Sequence, residues 1–248
     1  MRSCVVLLAF VIAAGANPLK LFRWSGDSLP DTVTARRYMS AGAAWVDVDD
    51  LNSRLGDFNL GEFSPYGLNL ALGWSVSRDR LISGMELEGL FWRTNEMEDS
   101  KSSLFASRLM FNTGVDLLKW QGLSLYPLVG LGVGVSALKA GPDEISFNEA
   151  LVAPEQELNI YQFTFLVDAG AGFDYTVGSF RGYRNMVIGL RAGYVFDPAG
   201  SNEWMRGLTS VTDGPEFLLR GPYVRIVLGN AFRFSPERIR RMRGKSKE

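Results

Sequence analysis

An alternation of apolar with small or polar residues, period two, constrains this chain more than any other feature. It is clearest from Gly67 to Ser77, where Leu68, Leu70, Leu72, Trp74 and Val76 share one face of an extended strand and Asn69, Ala71, Gly73 and Ser75 share the other. Seven further segments repeat it: 38–48, 83–92, 105–117, 123–137, 160–176, 185–196 and 223–234. Helical periodicity is scarce, so strands carry the architecture.

The connections between these eight segments alternate in length. Ser77 to Arg80, Leu118 to Gly122 and Val177 to Arg184 are short, whereas Asp49 to Tyr66, Arg93 to Ser102, Leu138 to Asn159 and Asp197 to Pro222 are generally longer. In a closed up-and-down meander the short connections gather at one end and the long ones at the other. That is the layout of a transmembrane β-barrel with short periplasmic turns and longer outer loops. The expected fold class is all-β: a closed antiparallel up-and-down transmembrane barrel of about eight strands, spanning residues 37–234 as one domain.

Glycine placement decides which face points outward. Gly73, Gly84, Gly114, Gly130, Gly132, Gly134, Gly170, Gly172, Gly189, Gly193 and Gly229 all fall on the less apolar face, with Gly89 as the exception. Glycine weakens a strand and packs nothing. Inside a barrel of about eight strands, however, the lumen is only just wide enough for side chains, and glycine makes room for large neighbours. The glycine face is therefore expected inside, together with a network of paired charges: Glu86, Glu88, Asp116, Asp168 and Asp174 with Arg108, Arg191 and Arg225. Buried charges need partners, and such a network closes the bore without an open channel. The opposite polarity, with the apolar face inward, describes a secreted soluble barrel that binds an apolar ligand. A third arrangement is a narrow pore or transporter for a small solute.

The last strand resembles the C-terminal assembly signal of bacterial outer-membrane barrels, in which glycine is followed by two alternating aromatic or apolar residues. Gly229, Phe232 and Phe234 match it; Val227 stands where the family places a polar residue, and Asn230 interrupts the outward face. Segments such as Leu125 to Gly134 and Ile188 to Tyr194 are similar to strands of the porin-like and OmpA-like small barrels. The resemblance covers roughly residues 37 to 234 and implies a bacterial outer-membrane location, with the bilayer and the barrel-assembly machinery as partners. It identifies an architecture more specifically than a function.

Arg2, the apolar run from Val5 to Ala14 and the sequence Ala14-Gly15-Ala16-Asn17-Pro18 have the layout of a secretory signal peptide, residues 1–16, cut after Ala16. The run is too short for a spanning helix. Residues 17–36 are then a periplasmic lead-in and residues 235–248 a periplasmic tail. That tail carries Arg238, Arg240, Arg241, Arg243, Lys245 and Lys247 against Glu237 and Glu248, a basic cluster suited to anionic headgroups or the acidic cell wall.

The chemistry is narrowed by what is missing. The one cysteine, Cys4, leaves with the signal, so disulfides and thiolate metal sites are excluded, and the sequence has no histidine, which removes the commonest general base and metal ligand. Net charge is −1, becoming −2 without Arg2, so no global basic field attracts nucleic acid. Glu86 and Glu88 are separated by roughly 6–7 Å of strand rise with no accompanying nucleophile, which argues against a glycosidase. Gly130-x-Gly132-x-Gly134 lies within a strand and opens no helix, so it is no nucleotide loop. Acidic residues crowd three outer loops: Asp49, Asp50, Asp57 and Glu62; Glu96, Glu98 and Asp99; and Asp143, Glu144, Glu149, Glu155 and Glu157. They match no calcium loop and are expected as solvated surface, with cation-bridged lipopolysaccharide as the alternative partner. The expected protein is non-enzymatic, has no cofactor or bound metal, and is structural or acts through its loops.

Overall fold

The computed structural model describes residues 33–58, 60–92, 100–142, 158–178, 185–198, 203–207, 209–211 and 213–234. The expected signal peptide, the lead-in up to residue 32, the basic tail and the acidic residues Glu96, Glu98, Asp99, Asp143, Glu144, Glu149, Glu155 and Glu157 lie outside the described residues.

In chain order the described elements are β1 (Val33–Trp45), α1 (Asp49–Gly56), β2 (Tyr66–Arg78), β3 (Leu81–Phe91), β4 (Ser100–Val115), β5 (Leu118–Trp120), β6 (Leu123–Pro142), β7 (Leu158–Val177), β8 (Asn185–Phe196), β9 (Trp204–Arg206), β10 (Thr209–Val211) and β11 (Gly221–Phe234). Eight long strands, β1, β2, β3, β4, β6, β7, β8 and β11, pair antiparallel in that order, and β11 pairs back onto β1 to close the ring. The short β5 continues the fourth strand below a local break and turns into β6 through Gln121 and Gly122. Both have positive φ, at 45° and 89°, the backbone twist that suits a two-residue hairpin.

The register fixes the barrel's shape. Stepping from partner to partner, Thr34, Ser77, Ile82, Gly114, Leu128, Gly170, Gly193 and Tyr223 lead back to β1 at Ala44, ten residues beyond the start (44 minus 34). Eight strands with a stagger of ten tilt by about 40° from the axis, as strand rise and spacing require. The alternation of each strand therefore becomes an inside and an outside.

Exposure settles which is which. Leu70, Leu131 and Leu190 are 42%, 55% and 47% exposed, whereas Arg191 is 4% exposed. Met39, Leu72, Phe111, Val129, Val133, Ile188, Ile226 and Leu228 continue the outward apolar belt around the ring. Trp45, Tyr66, Phe91, Phe105 and Tyr194 mark its outer margin, and Trp120 and Tyr175 lie near its periplasmic margin. A water-soluble barrel would pay for that belt; a bilayer's hydrocarbon solvates it. A closed barrel leaves no strand edge unpaired in that medium. The fold is a transmembrane β-barrel with the polarity of outer-membrane proteins.

Two boundaries differ from the sequence expectation. The barrel begins at Val33 rather than residue 37, so Arg36 belongs to β1 and points inward. β1 stops at Trp45 rather than Val48; beyond it Asp47 bridges to Leu218, and Val46 and Val48 continue the inward parity and are buried. The outer end of the bore also departs from the expected lining of small and ionised residues. There the inward residues include Leu90, Trp92, Leu104, Leu138, Ile160 and Leu166, and they join Val48, Leu51, Leu55, Phe63, Trp204, Phe217 and Leu219 in one buried apolar cluster. The last seven come from the first and fourth outer connections, which fold over the mouth as a cap and give those strand residues a dry environment.

Candidate functional site: the bore and its cap

The cap is built by local chemistry on both sides. In α1, Leu51 and Leu55 sit four residues apart on one face and are buried, while Asp49 and Asp50 in the first turn and Arg54 in the last complement the helix dipole. The Asn52 side chain donates to the Phe63 carbonyl at 2.9 Å and accepts from the Phe63 N–H at 2.8 Å, tying the connection back onto the helix. Across the mouth, the Glu216 N–H donates to Asp50 Oδ2 at 2.6 Å, joining the first outer connection to the fourth. Phe217 lies edge-on to Trp92 with ring centroids 6.0 Å apart, and the Trp204 indole N–H donates to the Pro215 carbonyl at 2.7 Å. Burying Trp204, Phe217 and Leu219 stabilises this cap by roughly 1.5–3 kcal/mol each.

Below the cap lies the charged layer. The eight charges expected in the bore, Glu86, Glu88, Arg108, Asp116, Asp168, Asp174, Arg191 and Arg225, are all buried, and Arg36 joins them. Every buried cation among the described residues is an arginine, whose planar fork serves several acceptors at once. Glu86 is the hub: it pairs with Arg191 from β8 and, at 2.9 Å, with Arg225 from β11. Arg225 also reaches Glu88 at 3.0 Å. Asn112 and Asn69 donate more weakly to Glu86 and Glu88, at 3.3 and 3.4 Å. Arg108 lies 3.9 Å from Glu88 and donates to the Leu219 carbonyl at 2.8 Å, so the charged layer holds the underside of the cap.

Toward the periplasmic end Arg36 pairs with Asp174 at 2.8 Å, and the Tyr126 hydroxyl donates to the same oxygen at 2.8 Å. Asp116 accepts from Ser124 at 2.7 Å. Asp168 accepts from the Tyr223 hydroxyl at 3.1 Å. An apolar cluster of Ile82, Tyr126 and Leu128 fills the same end.

Three tyrosines complete the layer, and sequence reasoning missed them together with Arg36. Tyr38 accepts from Arg191 at 2.8 Å and lies under its guanidinium, 4.3 Å from the ring centroid. Tyr223 lies against Arg225 in the same way, at 4.6 Å. Glycine makes this possible at two sites: Gly73 pairs with Tyr38 and Gly172 with Tyr126, and a Cβ at either glycine would run into the tyrosine ring. The signal for Arg36 was present, since Arg36, Tyr38 and Ser40 share one parity when the alternation is extended two residues toward the N-terminus.

Glu86 and Glu88 are therefore committed to guanidinium groups. Among the described residues no three Asp, Glu, His or Cys side chains converge as metal ligands would. The assembly residues Gly229 and Phe232 lie on β11 facing inward and outward respectively, with Gly229 opposite Tyr38. Phe234 ends that strand opposite Val33.

No family model matches the chain, and no curated protein matches it. Among solved structures the chain is similar to Ail, the attachment invasion locus protein of Yersinia pestis, at 12% identity and a TM-score of 0.40 over 83% of this chain and 100% of that one. It is similar to a major outer membrane protein from Thermus thermophilus at 14% identity and a TM-score of 0.44, over 81% and 99%. OprG from Pseudomonas aeruginosa aligns at 10% identity and a TM-score of 0.37, over 83% and 97%. The assignment to a membrane rests on the apolar belt and the closed ring.

Proposed function

We propose that this protein is a non-enzymatic, integral barrel of the bacterial outer membrane whose bore is closed and whose folded outer connections form its working surface. The observation that carries this reading is the hub at Glu86, where arginines from two strands meet one carboxylate in the middle of the bore, beneath an apolar cap. A bore crossed by ion pairs and covered by Phe217 and Leu219 suits a rigid scaffold better than a channel. The exported-protein expectations belong to the same reading: a signal peptide of residues 1–16, a lead-in, a basic tail at the periplasmic headgroups, and barrel-assembly machinery recognising Gly229, Phe232 and Phe234. Planar-bilayer recording of the refolded protein tests it. No unitary steps are expected, and stable ion-sized steps would overturn the closed bore. N-terminal sequencing of protein recovered from membranes is expected to begin at Asn17.

A narrow path for a small solute has one observation in its favour. Asp168 Oδ1 and Asp174 Oδ1 accept no hydrogen bond from protein among the described residues, so the bore retains polar capacity that its ion pairs do not use. Solute uptake into proteoliposomes that is lost in Arg191→Met would favour this second reading.

A further inference from the structure

A cleft of about 540 Å³ opens on the outer flank of the barrel, where β8, β11 and β1 end. Its lower wall is apolar: Trp45 from β1, Tyr194 and Phe196 from β8, and Pro222 from β11 between them. Tyr194 and Phe196 are in ring contact, with centroids 4.7 Å apart, and Tyr194 and Pro222 are register partners. Its upper wall is charged: Arg220 donates to Asp47 at 2.9 Å, with both side chains nearly half exposed, and Asp197 also lines it while its carboxylate accepts from Thr164 at 2.6 Å. The carboxylate of Asp47 raises the affinity of Arg220 for its proton, so the guanidinium stays charged.

The cleft spans the margin of the apolar belt, facing hydrocarbon below and the aqueous headgroup zone above. Water does not solvate its lower half, and acyl chains do not solvate its upper half. A molecule with both characters does. We propose that this cleft binds a phosphorylated glycolipid of the outer leaflet, with an acyl chain along Phe196 and Pro222. The sugar then meets the faces of Trp45 and Tyr194, its hydroxyls donate to Asp47, and a phosphate meets Arg220. A guanidinium carries five N–H donors, and the bond to Asp47 uses one of them. The half-exposed Asp47 carboxylate beside the arginine disfavours a head that offers phosphate alone and suits one that also offers hydroxyl donors.

The inference rests on the outer-membrane reading, and the test separates the two. Mature protein is refolded into detergent, its folding checked by heat-modifiable gel migration, and its adducts measured by native mass spectrometry during titration with lipid A, phosphatidylglycerol or the detergent alone. Failure of the wild type to fold in detergent counts against the membrane reading. Given folded protein, lipid A is expected to be retained in preference to phosphatidylglycerol, with about five-fold weaker retention in Arg220→Gln and in Tyr194→Ala. Equal retention of lipid A by the wild type and Arg220→Gln would overturn the site. Equal retention of phosphatidylglycerol would overturn the glycolipid, leaving only a phosphate contact.

Discussion

Glu86 on β3 and Arg191 on β8 join directly across the bore, from strands four apart in a ring of eight and hence diametrically opposed. Arg225 reaches the same carboxylate from β11. One carboxylate thus contacts two cations that the barrel has removed from water, the second of which it shares with Glu88.

Removing that charge leaves Arg191 without its carboxylate and Arg225 with Glu88 alone. Glu86→Gln is expected to destabilise the folded barrel by about 3–5 kcal/mol, seen as a lower denaturant midpoint for unfolding from lipid bilayers. Asp116→Asn, at the contact with Ser124, is expected to cost about 1 kcal/mol. Equal midpoints for the two variants would show that the hub adds nothing special.

The fit of tyrosine over glycine predicts a steric effect. Gly73→Val and Gly172→Val push side chains into the Tyr38 and Tyr126 rings and are expected to cost about 1–3 kcal/mol each by overpacking. Gly56→Ala is the control. Nothing lies within 4 Å of the added carbon, so its midpoint is expected to stay within about 0.5 kcal/mol of the wild type.

Position along the belt sets the cost of a charge on the outer face. Leu131→Arg, in the middle of β6 on the lipid side, is expected to cost about 2–4 kcal/mol, whereas Val177→Arg at the periplasmic end of β7 is expected to cost about 0–1 kcal/mol. Unfolding from bilayers measures both. A Leu131→Arg variant as stable as the wild type would contradict the lipid-facing assignment.

The cap and the barrel are expected to separate in proteolysis. Asn52→Ala removes both hydrogen bonds to Phe63 and is expected to loosen the first outer connection by about 1–2 kcal/mol. Protease added to whole cells is then expected to cut that connection faster, while heat-modifiable migration of the barrel persists. Simultaneous loss of that migration would mean that cap and barrel unfold as one unit.

Much of the architecture was legible in the strands. The period-two pattern located all eight walls, and the glycine-bearing parity of β2, β6, β7 and β8 identified the inward face. Legibility ended where the alternation lost contrast. At the outer ends of β3, β4 and β6, Leu90, Leu104 and Leu138 are apolar on the inward parity, and nothing nearby in sequence says what covers them. Their partners, Phe217 and Leu219 among them, lie far along the chain in a connection with no periodicity of its own. The helix α1 was likewise hidden in a stretch read as loop, because its buried face is only Leu51 and Leu55.

Sequence alone determined the strands, their number and the side of each that meets lipid, because alternation is a local property: adjacent residues on a strand must point to opposite faces. Tertiary structure decided which charges meet. The pairing of Glu86 with Arg191 and Arg225 depends on the stagger accumulated around the closed ring and on the bore's diameter, and neither exists until β11 has paired with β1. The cap was decided in the same way, since its apolar residues become a core only when two connections, distant in sequence, are brought over one mouth.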